Sequence, residues 1–237
     1  MFVSTEGIVL HRVKYSDTSL IVKIFTEKFG TQSFIIKNAF SKKNKLHHTF
    51  FSSLALLELT FDDHYLHQLG FLKDVSFVKI YDQIPLDPRR NSILFFYNEL
   101  LYKLLYSSSE DPKLFRIVKN GMLKLDDPNS FQLDQHICFV VELIAALGLQ
   151  PLNNYDQSTP FFCMESHSFS DLYVQNEAFL SQEASLYYSR LMSGEPCELP
   201  PKSIRNELLT GLVHYIIRTN EQVHSIDSLS VLIELMR

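Results

Sequence analysis

Glycine is scarce in this chain, with seven among 237 residues. They cannot be assembled into a Gly-rich phosphate loop with its lysine or into a dinucleotide fingerprint. Neither a Gly-x-Ser-x-Gly elbow nor a His-Glu-x-x-His pair is present. Cysteine is scarcer still. Cys138, Cys163 and Cys197 stand far apart, which argues against a disulfide framework and against the close cysteine pairs of a zinc site. Buried, inert thiols in a reducing cytoplasm are the expectation. Long apolar runs are also missing: residues 139–149 are interrupted by Glu142 and fall short of a membrane span. The opening Met-Phe-Val-Ser-Thr-Glu has no basic region, apolar core or small-residue cleavage site. The most informative absence is of acid. Between Glu27 and Glu58 there is no carboxylate at all.

That window holds Lys28, Lys37, Lys42, Lys43 and Lys45, with His47 and His48 close behind, in a chain of formal net charge −5. Positive charge is therefore gathered rather than spread. Residues 1–82 carry ten Lys/Arg against eight Asp/Glu, whereas residues 83–237 carry twelve against nineteen. A cationic loop between two strands is a common way to hold a phosphate backbone, and it is equally the composition of a solvated hairpin loop. The apolar fraction of 46% and aromatic fraction of 13% are those of a folded soluble protein.

Periodicity changes at the same place as charge. Alternating runs near residues 8–13, 20–25, 31–37, 50–61 and 72–81 read as five strands, the fourth a long one. Tyr15-Ser-Asp-Thr18 supplies turn chemistry, and Gly30 suits the left-handed position of a tight hairpin. Five strands in about eighty residues fit a small, partly open OB-type barrel. A small sandwich or an SH3-like barrel has nearly the same pattern. From Asp87-Pro88 onward the period is helical, and that pair has the form of an N-cap followed by a first-turn proline. Asp111-Pro112 repeats the signal. Further helices are expected over 131–147, 181–192, 202–219 and 228–236, with an irregular segment at about 150–180. The expected class is α+β: an OB-type domain at 1–82 and an all-α domain at 83–237.

Catalytic constellations are thin. Asp62, Asp63, His64 and His67 have metal-ligand chemistry but fall where a polar turn is expected at a strand end. Glu207 and His214 could share a helix face without forming a catalytic set. Nothing assembles a nucleophile, a base and an orienting group.

The order of motifs carries more. Gly7-Ile-Val-Leu10, Tyr15-Ser-Asp-Thr-Ser-Leu-Ile-Val22, Phe25-Thr-Glu-Lys-Phe-Gly30 and Lys37-Asn-Ala-Phe-Ser-Lys-Lys43 resemble the N-terminal domain of the bacterial recombination mediator family RecO. Asn98-Glu-Leu-Leu101, Pro112-Lys-Leu-Phe115, the Leu147-Gly148-x-x-Pro151 helix end, Tyr215 and Ser225-Ile-Asp-Ser-Leu-Ser-Val-Leu232 continue the resemblance along most of the chain. It implies a non-enzymatic mediator of recombinational repair, without cofactor, that binds and anneals single-stranded DNA. It also implies partnership with RecR, contact with the acidic C-terminal tail of single-stranded DNA-binding protein, and indirect loading of RecA. The place of action is then the cytoplasm, at the nucleoid during repair, with no membrane partner.

The DNA-binding residues so expected are Arg12, Lys14, Lys23, Lys37, Phe40, Lys42, Lys43, Lys45 and His47. Many family members carry Lys-Gly-Ala-Arg where this chain has Lys37-Asn38-Ala39-Phe40, so Phe40 either stacks on a base or enters the core. Many also carry a four-cysteine zinc module where this chain has Asn153-Asn154-Tyr155 and Phe161-Phe162-Cys163, which implies a zinc-free variant. The start of the third helix, Gln132-Leu-Asp-Gln-His136, is not basic, so charge for tail binding would come from Arg116, Lys119 or Arg218. Two other classes of function stay open: a protein adaptor with little DNA affinity, and a metal-dependent enzyme around Asp62, His64 and His67.

Overall fold

The computed structural model describes residues 1–41, 45–132, 134–174, 178–195 and 198–235. Two compact units result: residues 1–130 with the chain from Ser230, and residues 131–229. Among the described residues, no helix is long and apolar enough to cross a membrane.

In the first unit, β1 (Phe2–Lys14), β2 (Leu20–Thr26), β3 (Gly30–Ile36), β4 (Leu56–Asp62), β5 (Leu69–Gly70) and β6 (Leu72–Lys79) form one sheet. Its order is β5-β3-β2-β1-β4-β6. Six strands stand where five were expected, and the cause is local. β5 pairs parallel with β3, β6 pairs antiparallel with β4, and Phe71 alone separates them. The two are one strand of an OB-type barrel, broken where it crosses from one end of the sheet to the other and closes it. At Gly70 an added Cβ would stand 3.2 Å from Tyr65 Cβ and 3.4 Å from the Phe34 ring, so a larger residue at the crossing would crowd both.

Alternation sends Val9, Val22, Ile24, Phe34, Leu57 and Leu59 into the barrel, where each is at most 2% exposed. The fourth strand is shorter than the alternating run 50–61 suggested. His48–Phe51 is a single 3-10 turn, Leu54 is left-handed at φ 55, and the ladder begins at Leu56. Phe51 is nevertheless fully buried, which explains why its spacing imitates a strand.

Outward residues of β1 and β2 meet α1 (Pro88–Leu104) and α2 (Pro112–Asp126). Asp87 and Asp111 cap these helices, accepting from Arg89 N–H and from Lys113 and Leu114 N–H. Asn98 Nδ2 donates to Leu10 O at 2.8 Å, His11 stacks on Tyr102 at 4.5 Å, and Phe25 packs on Phe115. Asp126, at the end of α2, accepts backbone N–H groups of Asp82, Gln83 and Ile84, which fixes the chain leaving β6. Burial opposes ionisation of Asp126, yet the three N–H donors and Lys79 hold its pKa below the ordinary value.

The second unit holds α3 (Gln135–Ala146), β7 (Phe161–Cys163), β8 (Ser168–Ser170), α4 (Gln182–Ser193) and α5 (Lys202–Thr219); α6 (Ser228–Leu235) ends the described chain. A hairpin therefore lies within the segment expected to be irregular, at about 150–180, in a domain otherwise expected to be all-α. Its two strands are three residues each, too short to leave a period. Phe162 of β7 is fully buried with its ring edge-on to Tyr188 and Tyr215, and its N–H donates to Ser185 Oγ at 2.8 Å.

Two predictions follow from this packing. Gly30 is left-handed at φ 64, and an added Cβ would stand 2.4 Å from Ser108 O. Gly30→Ala is expected to destabilise the protein by about 1–3 kcal/mol in urea unfolding. His136 is buried on α3, and that burial brings its pKa from 6.5 down to about 4, with the Arg205 charge assisting and Asp134 opposing. The unfolded chain then takes up this proton first. Stability is complete above pH 6.5 and falls by about 1.4 kcal/mol per unit as pH drops toward 4. Unfolding measured across that range is expected to show this slope, and His136→Phe to remove it.

Candidate nucleic-acid interface

β1, β3 and β6 end, and β2 and β4 begin, at the same end of the barrel, where the acid-free window forms the connection from β3 to β4. The first residues past β3 set its course. Asn38 is left-handed at φ 54. Asparagine tolerates this conformation better than most side chains, so it can stand where the family pattern carries glycine. Ala39 is fully buried; its N–H donates to Thr18 O and its O accepts from His48 N–H, both at 2.8 Å. The two stems of the connection are thereby held together at Ala39. Its neighbour Phe40 faces outward and is 44% exposed.

Around this clamp a group of cations and rings converges. Arg12 Nη1 donates to His48 O at 3.2 Å. The His47 and His48 rings lie 4.2 Å apart, and Phe40 lies 5.2 Å from His48. Burial lowers the His48 pKa, with the neighbouring His47 and Arg12 acting in the same direction. Lys45 is exposed on the same connection. Lys37 is exposed at its start, with Nζ 5.0 Å from the Phe71 ring centre. Phe50 stacks on Phe77 at 4.7 Å and 24°. Cations neutralise phosphates without reading sequence, and exposed ring faces are the groups on which bases stack.

The expected site residues do not all belong to it. Arg12, Phe40 and His47 meet as described. Lys42 and Lys43 lie outside the described residues. Lys14 pairs with Asp17 at 3.1 Å beside the β1–β2 turn. Lys23 points to the helix-covered face, donating to Tyr106 O at 3.0 Å above the Tyr106 ring, and burial lowers its pKa. Of the three cations considered for a partner's tail, Arg116 bonds Pro112 O, Lys119 is ion-paired with Glu6, and Arg218 lies 3.7 Å from Glu165 in the second unit. Asp62 and Asp63 are engaged by the Met1 amine. Among the described residues, no group of three or more His, Cys, Asp or Glu is placed to hold a metal ion.

Sequence reasoning placed His48 in the cationic window without naming it as a site residue, and passed over Phe50, Phe71 and Phe77. Phe77 shows how a core-patterned ring can reach the surface. It sits opposite Leu57 on the inward side of β6, but near the barrel end, where its ring stays 36% exposed.

Known proteins provide an independent comparison. A family model described as "Recombination protein O N terminal" matches residues 1–81. A protein named DNA repair protein RecO from Bacteroides fragilis is 33% identical over 176 residues, covering 74% of this chain and 72% of that protein. Its namesake from Phocaeicola vulgatus is 30% identical over 192 residues, covering 81% and 80%. That from Flavobacterium psychrophilum is 27% identical over 176 residues, covering 73% of each. The barrel, the matched amino-terminal domain and the length of these alignments agree, and the chain belongs to the RecO family of DNA repair proteins.

Proposed function

We propose that this protein is a non-enzymatic recombination mediator that binds single-stranded DNA on the loop end of its barrel and promotes annealing. One observation carries the reading. Phe40, Lys45, His47 and His48 lie at one barrel end on the stretch of an acidic chain that has no carboxylate, and Arg12 of β1 joins them through His48 O. Residues 1–82 are then the barrel of the DNA-binding unit, which α1 and α2 of the expected 83–237 helical domain join. Family membership supports cooperation with RecR, contact with the tail of single-stranded DNA-binding protein and indirect loading of RecA, in the cytoplasm at the nucleoid. The arrangement requires neither a metal nor an organic cofactor.

A second reading is a protein adaptor with little intrinsic DNA affinity. It draws on Lys14, Lys23, Lys28 and Lys119, which all engage partners within their own unit. Gel shifts on bare oligonucleotide with and without RecR separate the two, because the adaptor shifts DNA only in RecR's presence.

Binding to single strands is expected to be independent of sequence and to weaken steeply with salt. Changing Lys42, Lys43 and Lys45 together to alanine should reduce the slope of log K against log salt by about 2. Undiminished binding by this variant would exclude the loop as the main contact. The chain has no tryptophan, so Phe40→Trp introduces a single tryptophan that can be excited apart from the tyrosines. Its fluorescence is expected to quench on adding oligothymidylate if the ring stacks on bases.

A further inference from the structure

Away from the loop, a cleft of about 440 Å³ opens on the outer face of the barrel, lined among others by Lys23, Ser33, His67, Tyr106, Ser107 and Ser109. This volume is in the range that small ligands occupy. No carboxylate is among the lining residues. Its walls are fixed by Thr31, whose N–H donates to Ser108 O at 2.9 Å and whose side-chain Oγ1 donates to Leu105 O at 2.6 Å. Lys23 is the cation of the cleft. An ammonium has three donors, and Lys23 directs one to Tyr106 O, leaving geometry for an anion. Partial burial disfavours its charge, and a bound anion would offset that cost.

The cleft also continues toward the loop. Lys23 pairs with Ser33, and Ser33 with Leu69, so these residues are aligned across β2, β3 and β5. By alternation Ile35 follows Ser33 on the same face, and Lys37, the first residue past β3, reaches over Phe71. Ser33 lies about 10 Å of strand from Ile36 at the end of β3, and Lys37 follows directly, within reach of the roughly 4–16 nucleotides that one barrel of this type engages. Exposed Leu69 and Phe71 line the way.

We propose that this cleft is a phosphate site, in which Lys23 and the surrounding hydroxyls hold a phosphodiester of the strand that the loop face engages. The inference rests on the DNA-binding reading and extends it from one barrel end to a track. Lys23→Gln removes the cation, and Ser107→Asp places a repelling charge at the exposed rim. Lys113→Gln, on the first turn of α2, controls for net charge. Anisotropy with a fluorescent oligothymidylate of about twenty nucleotides across a salt series is the measurement. Lys23→Gln is expected to reduce the slope by about 0.7, the value for one phosphate on a single strand. Ser107→Asp should weaken binding roughly three- to tenfold, and Lys113→Gln should match wild type. If both cleft variants bind like wild type while the triple lysine variant is weakened, the track is wrong and the loop reading stands. If wild type does not bind the oligonucleotide, the DNA reading itself fails. Thermal unfolding with inorganic phosphate or thymidine monophosphate tests the other source of the same chemistry. Stabilisation of wild type but not of Lys23→Gln, with an unchanged DNA slope, would make the cleft a site for free phosphate and overturn the strand assignment.

Discussion

At Phe71 the chain stops pairing in parallel with β3 and begins pairing antiparallel with β4, so one residue joins the two ends of the sheet. This crossing makes a barrel from what would otherwise be an open six-stranded sheet with two long edges. It also places β1, β3 and β4 so that their connections come together at one end, and the lysine-rich connection is among them. The crossing depends on Gly70, which allows Phe34 and Tyr65 to pack close. The same Phe71 ring then meets Lys37. Closure of the core and shaping of the candidate surface thus share a residue.

The fixed relation between sheet and first two helices has a separate origin. Asp126 draws three consecutive backbone donors of the chain leaving β6 onto one carboxylate, and the Gly30–Thr31 corner fits against the backbone of Ser108 and Ser109. These are polar contacts between distant parts of the sequence. They convert a barrel with helices attached into a unit in which helix-bound groups such as Tyr106 face strand-bound groups such as Lys23 at constant distance.

What could be read from sequence, and what could not, follows the same division between local and distant. Asp87-Pro88, Asp111-Pro112 and Gly30 announce themselves because a cap or a turn is decided within four residues. The cationic window is legible because absence of acid is a property of the sequence alone. The observed contacts of Lys23 and Lys119 were not legible. Lys23 meets a carbonyl 83 positions away, and Lys119 a carboxylate 113 positions away. Alternation misread residues 50–55 as strand because buried Phe51 has the right spacing with the wrong backbone. The β7–β8 hairpin escaped because three residues cannot display a period. Phe50 and Phe77 met only after folding, and neither was distinguishable in sequence from a core phenylalanine.

The gathering of cations at one barrel end has a consequence for how such a protein meets a polyanion. With a net charge of −5, the molecule as a whole is repelled by nucleic acid, while its loop end is attracted. The range of each effect is set by screening, with a Debye length of about 30 Å in dilute salt and about 8 Å at physiological ionic strength. In dilute salt the whole-body repulsion reaches far enough to oppose encounter; near physiological salt only the facing patch is felt. On the DNA-binding reading, the charge distribution works as an orientation filter that favours approach by the loop end. Encounter rates under such a filter pass through a maximum with ionic strength, whereas a uniformly basic protein slows monotonically.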